Sequence, residues 1–131
     1  MEIDEFLEYL KNVKRYSPLT VKAYEEDLNQ FSEFCEKVEF IQEWSEVTSG
    51  MVRRFEAGLM SGKLEFSNAK RSYRPKPMTP KSVRRKLSSL RTFFRYQMRE
   101  GMIADNPTEI IVAPKIGKKL PVFVPDYKMD E

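Results

Sequence analysis

Between Lys81 and Arg99 the chain carries seven cations, Lys81, Arg84, Arg85, Lys86, Arg91, Arg95 and Arg99, and a single acid, Glu100, follows them. Cations of this kind bind anions, and the planar donor fork of arginine matches phosphate oxygens. Short side chains between them, Ser88, Ser89 and Thr92, would let a helix approach closely, as in a DNA groove. The same run also reads as the solvated face of an ordinary amphipathic helix. Such faces usually mix signs to gain i,i+4 pairs, whereas these like charges crowd together at a cost that a polyanion would relieve.

The element that must hold these cations is a helix. Val83, Leu87, Leu90, Phe94 and Met98 recur at three or four residues, which traces one apolar stripe. Thr79 suits the N-cap and Pro80 the first helical position, where its missing N–H is not needed. Gly101 can supply the left-handed residue that stops the helix. On a wheel of about 100° per residue, Arg84, Arg91 and Arg95 flank the stripe, while Lys81, Arg85, Ser89, Thr92 and Arg99 lie across from it.

What the chain lacks excludes as much. It contains no histidine, so no imidazole can serve as general base or metal ligand. A lone Cys35 rules out an internal disulfide and the usual zinc sites, and it fits a reducing cytosol. No run of about 18 apolar residues predicts a membrane span, and the opening M-E-I-D-E-F is acidic and helical rather than a signal peptide. A cytoplasmic protein is expected. At 131 residues the chain suits one domain, with a tail. Its charge is sharply divided: residues 1–50 carry a net −7, residues 51–100 a net +11 and residues 101–131 a net −1. One face for an anionic partner and an opposite face turned to solvent follow from that division.

Read in order, residues 2–15 form a first helix on Ile3, Phe6, Leu7 and Leu10, continued by Val13 or Lys14, with acids in the first turn and cations in the last. Ser17 caps a second, with Pro18 first, Val21, Tyr24, Leu28, Phe31 and Cys35 on its stripe and Phe34 beside it. Cys35 is read as a small core residue, not a reactive thiol. The connection from Phe40 to Val47 holds Trp44, which packs over the helices as a lid. Thr48 or Ser49 caps a third helix, with Val52, Phe55 and Leu59 inward, and Ser61-Gly62 ends it. Residues 62–78 carry five cations and one acid without helical or strand period, a mobile basic loop. After Gly101, Asp105 or Asn106 can cap a short helix that brings Ile110, Ile111 and Val112 to the core. The tail from Pro114 reads as an extended linker, and Pro125-Asp126 resembles a new helix start, as in a truncated chain. S-P-L-T-V-K at Ser17 and T-P-K-S-V-R at Thr79 repeat one design. Both are good helix starts, and both could offer free N–H groups to phosphate oxygens.

E-F-L-E-Y-L, then S-P-L-T-V-K-A-Y-E-E-D-L-N-Q-F, then T-P-K-S-V-R-R-K-L-S-S-L-R-T-F-F-R-Y, then E-G-M-I-A-D-N-P and P-K-I-G-K-K-L-P follow one another in this order. Each is weak alone; together they resemble the N-terminal part of tyrosine recombinases, most closely the Xer and phage-integrase-like branch. Basic loop 62–78 is longer than the turn usual in that family. The resemblance implies an all-α, SAM-like bundle of four main helices plus a short fifth, a core-binding domain over residues 1–113 and an interdomain linker over 114–131. It implies half of a C-shaped clamp on duplex DNA, a separate catalytic domain taking the other face. Carried onto this sequence, it marks Thr20, Lys22 and Tyr24 near the start of the second helix, and Lys81, Ser82, Arg85, Lys86 and Ser89 on the fourth. Arg95 and the tail cations Lys118 and Lys119 join the set expected to touch DNA. Tyr24 also suits the core.

The family's chemistry needs a tyrosine nucleophile, an arginine pair, a lysine and a His-x-x-Arg motif, all in the catalytic domain; none of those motifs is present here, a chain without histidine cannot hold the last of them, and Tyr127 lies in the linker. A fragment that binds DNA and catalyses nothing is therefore expected, without metal or other cofactor, small-molecule substrate or membrane. Its partners would be duplex DNA and, in the full-length assembly, other recombinase protomers. The acids Glu25, Glu26 and Asp27 should point away from DNA. A SAM-like protein–protein interaction module is the alternative reading, and a free-standing DNA-binding regulator a third.

Overall fold

Ser17 and Thr79 begin the two longest helices in the same way. Each is followed by a proline at the first helical position, and each side chain accepts the backbone N–H three residues on, at 3.2 Å for Thr20 and 3.3 Å for Ser82. The hydroxyls of Thr20 and Ser82 lie 3.0 and 3.1 Å from their cap hydroxyls. The repeat in sequence is thus a repeat in space. It leaves fewer donors than expected: proline has no N–H and the cap occupies another. Within each first turn the Leu19 and Lys81 N–H groups have no acceptor among the described residues.

A computed structural model describes residues 1–64 and 77–109. It contains α1 (Asp4–Asn12), α2 (Pro18–Lys37), α3 (Ser49–Ser61), α4 (Pro80–Arg99) and a 3₁₀ turn at Trp44–Glu46. No strand occurs among the described residues, so the architecture is the all-α bundle that the periodicity predicts. Helix α2 packs on α1, α3 and α4, and α4 packs on α2 and α3.

Aromatic rings fill the centre. Phe31 of α2 meets Phe55 of α3 edge-on at 5.0 Å and Phe94 of α4 at 6.2 Å. Phe6 carries α1 to the same core, 5.2 Å from Phe93. Each buried ring of this size stabilises the fold by roughly 1.5–3 kcal/mol. Trp44 closes the bundle as expected: its ring lies 4.6 Å from Phe93, and its indole Nε1–H donates to the Glu2 carbonyl at 2.7 Å. Cys35 is fully buried, and burial pushes its thiol up to about 12, as a core residue and not a nucleophile.

Local differences have local causes. Helix α1 stops at Asn12 instead of reaching Arg15, because Arg15 turns left-handed (φ 56°) to bring the chain to the Ser17 cap, and Val13 is left exposed. At the far end of α4, Gln97 is buried and Met98 exposed, the reverse of the expected stripe. Counted from Val83 at about 100° per residue, Gln97 falls about 40° from the stripe and Met98 about 60°. Thr48, not Ser49, caps α3, and Gly62 (φ 75°) ends it. Gly101 (φ 78°) follows α4. Beyond it, Asn106 Oδ1 accepts the Thr108 N–H at 2.9 Å and starts a turn that runs to Glu109. The rest of the expected fifth helix, the linker 114–131 and residues 65–76 of the basic loop lie outside the described residues. Among the described residues no helix is long and apolar enough to cross a membrane.

Candidate nucleic-acid interface

The starts of α2 and α4 lie side by side and enclose an open groove of about 530 Å³. Residues four apart stack along one helix face, and here two such columns face two others. Helix α2 contributes Leu19 with Ala23 and Thr20 with Tyr24. Helix α4 contributes Lys81 with Arg85 and Ser89, and Arg84 with Ser88. The groove therefore gathers Thr20, Tyr24, Lys81, Arg85 and Ser89 from the residues expected to touch DNA. Three cations line it and no acid does.

Beneath the cations lies the feature that organises them. Asp27 is buried, 1% exposed, with both carboxylate oxygens engaged. Oδ1 accepts from Lys86 Nζ at 2.8 Å, and Oδ2 accepts from Arg85 Nη1 at 3.0 Å and from Ser89 Oγ at 2.8 Å. Lys86 Nζ also donates to Gln30 Oε1. A carboxylate removed from water is tolerated when it is paired and its lone pairs are filled, and this one is. Asp27, grouped with the acids expected to point away from a DNA-facing surface, instead lies buried against Lys86, Arg85 and Ser89, because α4 supplies the charges that compensate its burial. Glu25 and Glu26 are exposed.

The expected contact residues now separate. Lys86 and Ser89 are buried and turned to Asp27. Ser89 does not lie across from the apolar stripe as the wheel suggests; it faces α2. Arg85 spends one guanidinium N–H on Asp27 while its side chain stays 54% exposed, so its other donors face outward. Lys81 and Arg84 are exposed in the groove, and Lys22 and Arg95 are exposed outside its lining. None of these four has an acidic partner among the described residues. Ser82 is half-buried and receives the Thr79 hydroxyl proton. Tyr24 is also half-buried, its ring packed on Tyr16 and Phe6, so it is both core and groove wall. Lys118 and Lys119 lie outside the described residues.

Helix α3 is a different case. Arg54 is committed to Glu39, with two bonds of 2.7 and 2.8 Å, and its guanidinium holds the Glu39 carboxyl below the usual range. The basic face is therefore centred on α4 and the start of α2. The contact residues carried over from the family did not include Arg84, and neither Leu19 as a groove residue nor the burial of Asp27 was foreseen. A signal for Asp27 existed: it flanks the stripe of α2 beside Leu28, and Lys86 flanks that of α4 beside Leu87. Opposite charges beside two apolar stripes point to each other.

Comparison with known proteins gives concordant matches. The family model of the phage integrase N-terminal SAM-like domain matches residues 3–101. The chain is similar to proteins named tyrosine recombinase XerC. It is 35% identical to that of Anoxybacillus flavithermus over 91% of this chain and 35% of the relative. It is 38% identical to that of Alcanivorax borkumensis over 91% and 33%, and 35% identical to that of Oceanobacillus iheyensis over 98% and 37%. The chain spans about a third of the length of these curated relatives. No solved structure matches it.

Proposed function

The chain belongs to the family of phage integrase N-terminal SAM-like domains, and from that premise we propose that it binds duplex DNA through the groove between α2 and α4, as one half of a clamp for site-specific recombination. The observation that carries this reading is the convergence of Lys81, Arg84 and Arg85 with the hydroxyls of Thr20 and Ser88 on one acid-free groove. Phosphates would fall to Lys81, Arg84, Arg85, Lys22 and Arg95, with Thr20 and Ser82 beside them. Lys86 and Ser89 act from below, through Asp27, by fixing how α4 meets α2 and where Arg85 points. Lys118 and Lys119 would add contacts from the segment 114–131, read as the linker that follows a domain over 1–113.

Cations on a rigid helix bind DNA by displacing counterions, and that gain scales with the number of phosphates neutralised. Such contacts position the protein on the duplex, while base edges supply the choice of sequence. In this reading the chain needs no cofactor and cleaves nothing itself. Strand cleavage and rejoining through a phosphotyrosine would belong to a catalytic domain of the parent, acting with other protomers.

The test is direct. The chain should bind a random-sequence duplex at low salt, and log K should fall linearly with log salt toward a Kd of roughly 10⁻⁴–10⁻⁶ M at physiological salt. Fluorescence anisotropy measures both. No binding at low salt, or an affinity indifferent to salt, would favour the helical interaction module instead.

A further inference from the structure

The two walls of the groove differ in kind. The α4 wall is cationic and hydroxylic, with Lys81, Arg84, Arg85 and Ser88. The α2 wall is more apolar, made by Leu19, Ala23 and Tyr24, with hydroxyls from Thr20 and Tyr24 and no charge. Leu19 is 81% exposed. A leucine exposed alone on a surface carries no message. This one has a fixed place, one residue after Pro18 in a capped first turn, with Ala23 one turn behind it and Tyr24 held by Tyr16 and Phe6. It is thus a preformed apolar edge set opposite a row of cations.

A ligand that fits must present an apolar group close beside negative charge. Thymine in a duplex does so. Its C5-methyl group projects into the major groove, and the phosphates of its own strand pass close to it. We propose that Leu19, backed by Ala23, is a specificity-determining residue that reads thymine methyl groups while α4 holds the neighbouring phosphates. The inference rests on the duplex-DNA reading above and adds to it a choice of base. The phosphate contacts of the serine and cation wall cannot make that choice, because phosphates are the same at every step.

The experiment begins with duplexes enriched by the 131-residue chain from a random-sequence library. Each thymine in an enriched duplex is replaced in turn by deoxyuridine, which removes the methyl group and leaves base pairing intact. At one or more positions the affinity should fall about fourfold, the amount expected from losing one buried methyl. Leu19→Ser should bind thymine and uracil duplexes alike at those positions, with the salt slope of the native chain. Leu19→Met, which stays apolar, should keep the discrimination. Because Leu19 is exposed, the variants should retain native circular dichroism. A thymine-to-uracil ratio near one at every position, or a ratio that persists in Leu19→Ser, overturns the inference and leaves the DNA reading in place. Absence of salt-dependent binding to any duplex overturns both.

Discussion

Replacing Asp27 by alanine should lower the free energy of unfolding by about 3–5 kcal/mol, the usual effect of removing one partner from a buried ion pair. The carboxylate is 1% exposed and the Lys86 side chain 6% exposed, so water cannot replace what is lost. In Asp27→Ala the Lys86 ammonium keeps the Gln30 amide oxygen and loses its counter-charge, and Ser89 is left with only the longer bond to the Arg85 carbonyl at 3.4 Å. Urea denaturation followed by circular dichroism would measure the change. Replacing both partners by apolar residues of similar size, Asp27→Leu with Lys86→Met, should cost much less, because no buried charge is then left alone. A loss below about 1 kcal/mol for Asp27→Ala, the range of exposed ion pairs, would mean that the pair is not buried as described.

The second large effect concerns salt. Lys81, Arg84 and Arg95 are exposed and lack acidic partners among the described residues. If each meets one phosphate, changing all three to alanine should flatten the plot of log K against log salt by about three units, close to one per cation. The fold should be unaffected, since none of the three is part of the core. Arg53 and Arg54 on α3 serve as controls. Arg54 is already paired with Glu39 and Arg53 lies outside the groove lining, so neither change should alter the slope by as much as one contact. An unchanged slope in the triple variant, or a larger loss from the α3 changes, would move the interface away from α4.

These effects also mark how far the sequence could be read. The start of each long helix was legible because the hydroxyl cap and the proline act within one turn, and Ser17, Thr48 and Thr79 all cap as their spacing predicts. The stripe of α4 was legible from Val83 to Phe94. It failed at Gln97 and Met98, where the two candidates differ little in angle and tertiary neighbours decide. The end of α1 was not legible, since nothing in Lys14-Arg15-Tyr16 announces a left-handed Arg15.

For the site, residue type and helix face made Lys81 and Arg85 legible as exposed cations, because exposure follows from local pattern, while Thr20 was marked only by the family resemblance. Lys86 and Ser89 resisted that reasoning. Their placement depends on Asp27, which stands more than fifty residues earlier, and the sequence marks such a pair only by an opposite charge beside each apolar stripe. The apolar wall was missed for a related reason: Leu19 lies off the stripe of α2 and so looked like surface, and its meaning comes only from what α4 places opposite it.

The central claim, that duplex DNA lies along the α2/α4 groove, is tested most directly by adding duplex DNA to the isotope-labelled chain at low salt and following each backbone amide. Acidic side chains are repelled by phosphates within a Debye length of about 8 Å at physiological salt, and further at low salt, so the acidic first helix should stay clear of the duplex. The account predicts shifts concentrated at residues 17–24 and 79–95, with residues 4–8 and 31–37 nearly still. Shifts centred on α1, or a spectrum that ignores DNA at low salt, would contradict it.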